Sequence, residues 1–228
     1  PQESSKSGCV ITADVRIDNR EELLQDLRLA VDSNRVIPDS TLILRAYEKW
    51  GRDCVAHLLG AFAFSIWDPR EKHLFCVLDH FGVRPFYYYY EPKKLFAFAS
   101  EIKSLLSLET VPEDLNEVRI AEHLLVQVKQ DVTRTYFEHI RKVPPAYTYT
   151  VGPDSATSNQ YWALDPEREI HLSSDKEYAN RFKVLFEDAV QDRLRSTGPI
   201  GSMLSGGLDS SSITCQATHL LRDSEGDA

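Results

Sequence analysis

The run Ser205-Gly206-Gly207-Leu208-Asp209-Ser210 follows directly on the apolar stretch Pro199-Ile200-Gly201-Ser202-Met203-Leu204. That order predicts a short buried strand, a glycine-rich turn and a helix opening at Ser211 and running from Ser212 to Leu221. Gly206 and Gly207 lack a Cβ, so the backbone can turn tightly and bring its N–H groups against phosphate oxygens. Ser205, Ser210, Ser211 and Ser212 add hydroxyl donors, and the helix start adds unpaired N–H groups and a favourable dipole. Asp209 suits a magnesium ion that screens the phosphate charge. A plain serine–glycine turn at a strand–helix junction is the simpler alternative, but it does not require two glycines, an acid and four hydroxyls.

The loop has no lysine and so departs from the ordinary Gly-x-x-x-x-Gly-Lys-Ser/Thr phosphate loop. SGGLDS instead resembles the pyrophosphate loop of enzymes that split ATP between its α and β phosphates. Composition limits the rest. Hydrophobic residues make up 42% of the 228 residues, enough for one or two domains with a core. The net charge of -9 and the lack of a lysine/arginine block argue against a nucleic-acid surface. No apolar run approaches the roughly 20 residues of a membrane span, and no signal-peptide pattern opens the chain. Cys9, Cys54, Cys76 and Cys215 lack metal-ligand spacing and read as buried free thiols of a reducing compartment, which points to a cytoplasmic protein. Met203 is the only methionine. Both ends are therefore expected to be cut, with the second domain incomplete and the chain alone inactive in pyrophosphate release.

Along the chain, Pro1 to Gly8 is polar and expected to fray. Cys9 to Arg16 alternates (Val10, Thr12, Val15 against Asp14, Arg16) and predicts a strand. Asn19 caps a predicted helix through Leu23, Leu24, Leu27 and Val31. Pro38-Asp39-Ser40 starts a second, with apolar face Leu42, Ile43, Ala46, Tyr47 and Trp50, ended by Gly51. Strands are predicted at Ala61–Trp67, Leu74–Leu78, Phe86–Tyr90 and Leu95–Ala99, joined by hairpin connections at Asp68–Glu71 and Glu91–Lys94. The run Phe86 to Tyr90 reads as a strand with aromatics on both faces, since no basic residues interleave with it. Helices are predicted from Ser100 and over Asn116 to Gln127, and a strand over Tyr147 to Val151. Ser174 and Glu177 stand at capping-box spacing for a helix through Phe182, Leu185, Phe186, Val190 and Leu194. The domain boundary falls near Asp165 to Leu172, giving domains 1–168 and 169–228.

Several blocks together resemble the glutamine-dependent asparagine synthetase family. They are Asp39 to Gly51, Leu59 to Asp68, Asp79 to Tyr88, Ser100-Glu101-Ile102-Lys103, Pro144-Pro145-Ala146 with Tyr161-Trp162, and SGGLDS. Any one is weak, whereas the ordered set is specific and covers nearly the whole chain. The resemblance implies an α+β N-terminal-nucleophile-type sandwich (α-β-β-α, antiparallel sheets), followed by the start of an α/β pyrophosphate-loop nucleotide-binding domain. It implies ATP and Mg²⁺ as cofactors, aspartate or another carboxylate as acceptor, and glutamine or ammonia as nitrogen source. Nucleic acid and membrane are not implied as partners, and a homodimer is left open.

By the same resemblance Ser205, Gly206, Gly207, Leu208, Asp209 and Ser210 hold ATP or pyrophosphate, with Asp209 on the metal. Asp39 matches the acid that binds the amino group of glutamine, and a plain helix N-cap is its other reading. Glu101 matches an interface position and reads equally as a surface glutamate. His80, His123 and His139 read as structural. Three departures stand out. The N-terminal cysteine nucleophile is absent, and Cys9, with residues before it, has no free amine to serve as its base. Asp14-Val15-Arg16 stands where the family has Asn-Gly-Glu, and an ionised Asp14 repels an oxyanion. Leu78 replaces an arginine. The form Ala13-Asp14-x-Arg16-Ile17-Asp18-Asn19-Arg20 resembles relatives near lasso-peptide cyclases. Two further readings therefore stay open: a cyclase or β-lactam-forming ligase without glutaminase activity, and an inactive fragment with a structural first domain.

Overall fold

The computed structural model describes residues 1–4, 6–29, 37–125 and 131–226. Two compact units are present, Pro1–Leu164 and Asp165–Ala228. The first contains strands β1 (Gln2–Glu3), β2 (Val10–Ile17), β3 (Gly60–Asp68), β4 (His73–Leu78), β5 (Tyr87–Glu91), β6 (Leu95–Ala99), β7 (Ile140–Lys142), β8 (Tyr147–Val151) and β9 (Ala156–Gln160). Its helices are α1 (Arg20–Asp26), α2 (Asp39–Trp50), α3 (Ile102–Leu106) and α4 (Glu117–Leu124), with a 3₁₀ turn over Gly51–His57. The strands form a six-stranded sheet, β1-β2-β3-β4-β8-β9, and a three-stranded sheet, β6-β5-β7.

Strand alternation builds the layers. Side chains two apart share a face, and β3 sends Phe62, Phe64 and Ile66 to one side, where they meet Leu42, Ile43, Ala46 and Tyr47 of α2. Full burial of such a phenylalanine contributes about 2–3 kcal/mol. Ala63 points to the other side, with Cys76 and Leu78 of β4, against Phe86, Tyr88, Phe96 and Phe98 of the small sheet. The far face of that sheet carries Tyr87, Tyr89, Ala97 and Ile140 and packs on Leu105 of α3. The stacking is thus helix, sheet, sheet, helix, the antiparallel sandwich that the resemblance implies. The tyrosine run does pack on both faces, Tyr88 between the sheets and Tyr87 and Tyr89 towards α3.

Several local expectations change. In β2 the helix-facing set is Ile11, Ala13, Val15 and Ile17, continuing from Cys9. Thr12 and Asp14 take the inter-sheet side. Asn19 makes no side-chain capping bond. Its amide instead donates to the His57 carbonyl at 3.0 Å and accepts from the Leu59 N–H at 2.9 Å, a tertiary tie that outcompetes the local cap. Helix α1 stops at Asp26, and Arg28 follows with φ 52°. Val31 and Gln127 lie outside the described residues. The N-terminal segment does not fray: Gln2 and Glu3 pair with Ile11 and Val10, and Ser4 and Ser7 donate to Glu48 at 2.5 and 2.6 Å.

The second unit holds α5 (Asp175–Arg193) and α6 (Leu208–Gly226), with Ser174 accepting from the Glu177 N–H at 3.4 Å as expected of a cap. The strand expected over Pro199–Leu204 does not form, and Met203 and Leu204 are 94% and 62% exposed. A lone strand leaves its N–H and C=O groups unpaired, so without a neighbour it has nothing to stabilise it. Cys9, Cys54 and Cys76 are buried and Cys215 is exposed, so only three of the four thiols fit the expectation. Burial pushes the Cys54 and Cys76 thiols up to about 12. Ellman's reagent is accordingly expected to titrate one thiol rapidly in the native chain and the other three only on unfolding. Fast reaction of a second thiol contradicts the packing of the first unit.

Candidate functional site

In the second unit the expected phosphate loop takes a definite shape. Gly206 has φ +84°, in the left-handed region that glycine adopts without strain. Helix α6 begins at Leu208, three residues earlier than expected, so Leu208, Asp209 and Ser210 form its first turn. Their N–H groups are the orphan donors that every helix start leaves. Ser205 and Ser210 face one another across the turn, hydroxyl to hydroxyl at 3.0 Å, and the Ser205 N–H donates to Ser210 Oγ at 3.3 Å. Ser210 Oγ also lies 3.3 Å from the Gly207 carbonyl. Asp209 is exposed at the start of the helix. Among the described residues no group of three or more His, Cys, Asp or Glu is placed to hold a metal ion. What the helix start offers a cation is the single exposed carboxylate of Asp209.

In the first unit a cavity of about 220 Å³ opens between the two sheets, lined by Thr12, Asp14, Ala63, Phe86, Ala99 and Ser100 among others. The register pairs Asp14 with Ala63, which puts the carboxylate on the inter-sheet face. Arg84 Nε stands 3.4 Å from Asp14 Oδ1. The Asp79 carboxylate, fully buried, sets that arginine. It accepts the N–H groups of Phe62 (3.2 Å), Phe81 (3.0 Å), Val83 (3.0 Å) and Arg84 (3.1 Å). The turn is closed further by Gly82 N–H to the Asp79 carbonyl at 3.2 Å, with Gly82 at φ +65°. Sequence reading placed Asp79 in a motif but missed this role. The available signal was an acid two to five residues before turn N–H groups, around a glycine.

Asp39 does not stand at the cap of α2: Pro38 holds that position, and Asp39 is the first helical residue. Its Oδ2 accepts the Ile17 N–H at 2.9 Å, and its Oδ1 is paired with Arg20, whose guanidinium also reaches the Ile37 carbonyl. Asp39 thus ties the start of α2 to the end of β2. Glu101 is exposed and pairs with Lys103 at 2.5 Å. His80 sits edge-on to Tyr161 and Trp162, and His123 lies edge-on to Tyr136. His139 lies 3.5 Å from Asp114. Cys9 lies just before β2 with its thiol fully buried, 3.6 Å from Arg70 Nη2, and burial raises its pKa. A buried, protonated thiol is no nucleophile.

Comparison with known proteins places these features. The glutamine amidotransferase domain family matches residues 1–162, and the asparagine synthase family matches residues 181–224. Asparagine synthetase [glutamine-hydrolyzing] 3 of Bacillus subtilis is 34% identical over 199 residues, 87% of this chain and 32% of the relative. Amidase chry2 of Gibberella zeae is 30% identical over 187 residues, 81% of this chain and 27% of the relative. Asparagine synthetase [glutamine-hydrolyzing] 1 of B. subtilis is 28% identical over 201 residues, 88% of this chain and 31% of the relative. The chain spans about a third of the length of these relatives. Among the described residues no helix is long and apolar enough to cross a membrane. With a glutamine amidotransferase domain followed by the beginning of an asparagine synthase domain, the chain belongs to the glutamine-hydrolysing asparagine synthetase family.

Proposed function

We propose that this chain is part of an ATP-dependent ligase that converts aspartate to asparagine. In balance, aspartate, ATP and ammonia give asparagine, AMP and pyrophosphate; glutamine and water supply the ammonia and leave glutamate. The observation that carries this reading is the turn at Gly206 leading into the free N-terminus of α6, with Ser205 and Ser210 facing across it. Ser205, Gly206, Gly207, Leu208 and Ser210 would hold the phosphates through N–H and hydroxyl donors. Asp209 would hold Mg²⁺, which supplies charge neutralisation at the phosphates when bound. Asp39 remains the candidate for the amino group of glutamine, provided that Arg20 releases it. The test is pyrophosphate release by the whole ligase with ATP, Mg²⁺, aspartate and either glutamine or ammonium. Release that needs aspartate supports the reading, and release indifferent to it contradicts it.

Asp14 favours a second reading, a ligase that does not draw nitrogen from glutamine. A carboxylate at the cavity mouth opposes a developing oxyanion, and Arg84 at 3.4 Å offsets that charge only in part. On this reading ammonium supports turnover and glutamine does not. Asp14→Asn, which removes the opposing charge, is expected to leave ammonium-dependent turnover within about 3-fold, since the chemistry lies in the other domain.

A further inference from the structure

A second and larger cavity, about 370 Å³, lies where β3 turns into β4 beside the end of α2, with Tyr47, Asp68 and His73 as its floor and Arg52, Arg70 and Glu71 on its wall. The floor residues are 4%, 1% and 5% exposed. Their hydrogen bonds have only one consistent direction. Arg70 donates to Asp68 through Nε at 2.9 Å, Nη2 at 2.6 Å and its backbone N–H at 3.0 Å. Those bonds hold the Asp68 carboxyl well below the usual range, so it is ionised and only accepts. The Tyr47 hydroxyl donates to Asp68 Oδ2 at 3.2 Å. Having spent its proton there, it accepts from His73 Nε2 at 3.0 Å. His73 therefore carries its proton on Nε2, and burial keeps the ring neutral. Its Nδ1 is left as a lone-pair acceptor with no partner among the described residues.

Two guanidinium groups line the same cavity as His73. Arg52 is exposed and makes no hydrogen bond or ion pair among the described residues, and its charge bears on the His73 ring. The Nη1 of Arg70 is likewise unused, because Nε and Nη2 go to Asp68 and Cys9. Glu71 stands on the same wall and works against a fully ionised ligand, which favours one that keeps a proton. We propose that this cavity is a binding site for inorganic phosphate, its P–OH donating to His73 Nδ1 and its anionic oxygens meeting Arg52 and Arg70 Nη1. Near neutral pH inorganic phosphate retains one P–OH. Sulfate has none, and a simple phosphate monoester has largely lost it. The site therefore reads a proton as well as a charge.

The test is titration of the full chain with inorganic phosphate near neutral pH, followed by calorimetry and by the ¹⁵N resonances of its histidines. Saturable one-to-one binding in about the millimolar range is expected, with the His73 Nδ1 resonance moving. Sulfate and methyl phosphate are expected to bind at least about 10-fold more weakly, the loss of one charge-assisted hydrogen bond. Arg52→Gln, at an exposed side chain without partners, leaves the fold intact and is expected to weaken phosphate by about 10-fold or more. Unsaturable binding, equal affinity for sulfate, indifference to Arg52→Gln or a silent His73 each overturns the proposal.

Discussion

Replacing Gly60 with alanine is expected to cost the first unit about 4 kcal/mol. Gly60 opens β3 at φ +144°, and a Cβ there would lie 2.1 Å from the Arg16 carbonyl oxygen and 3.1 Å from the Asp18 nitrogen. Neither neighbour can withdraw easily. Gly60 pairs with Ile17, the Asp18 N–H donates to the Leu59 carbonyl at 2.8 Å, and Asn19 holds the Leu59 N–H. The Ile17 N–H is in turn held by Asp39. Alanine thus forces open the end of the β2–β3 ladder, where α1 and α2 are anchored. Gly51→Ala is the control: its φ of +61° with ψ −136° strains alanine, but nothing lies within 4 Å, so only the backbone strain of about 2 kcal/mol is expected. All three tryptophans (Trp50, Trp67 and Trp162) lie in the first unit, so their fluorescence reads its urea unfolding. Equal losses for the two variants would contradict the close approach at Gly60.

Asp79→Ala is expected to destabilise the same unit by about 3–4 kcal/mol. Four backbone N–H groups converge on its carboxylate, and bonds to a charged acceptor are the stronger kind. The Phe62 N–H, inside β3, is left without a partner, while those of Phe81, Val83 and Arg84 recover some water. Asp79→Asn keeps the shape but presents a donor to donors, and about half the loss is expected. The same substitutions free Arg84 from its fixed place opposite Asp14. A loss below about 1 kcal/mol for Asp79→Ala would mean that the turn holds without its carboxylate.

What the sequence made legible was what repeats or is local. Alternation located β2, β-rich runs between turn residues located β3 to β6 and β8, and the tyrosine run disclosed its two faces because both neighbours are apolar. Polar β9 (Ala156–Gln160) carries no apolar pattern, because it is an edge strand held by pairing with β8 alone. Asn19 looked like a cap because its competing partners, His57 and Leu59, are about forty residues away. Asp39 looked like a cap because its partners Arg20 and Ile17 lie in other elements. In the second unit the turn at Gly206 was legible, since a positive φ has a strong residue preference. The strand before it was not, because a strand is a property of its neighbours as much as of its own residues.

The claim that most needs testing is that the Ser205–Ser210 turn holds the phosphates of ATP. The direct measurement is pyrophosphate release by the whole ligase of which we propose this chain is part, with saturating aspartate and a nitrogen source, wild type against Asp209→Ala. Asp209 is exposed at the start of α6, so folding is expected to be unaffected. A fall of about 100-fold in turnover at matched urea stability is the expected result. Turnover equal to the wild type would contradict the assignment and remove Asp209 from the phosphate site.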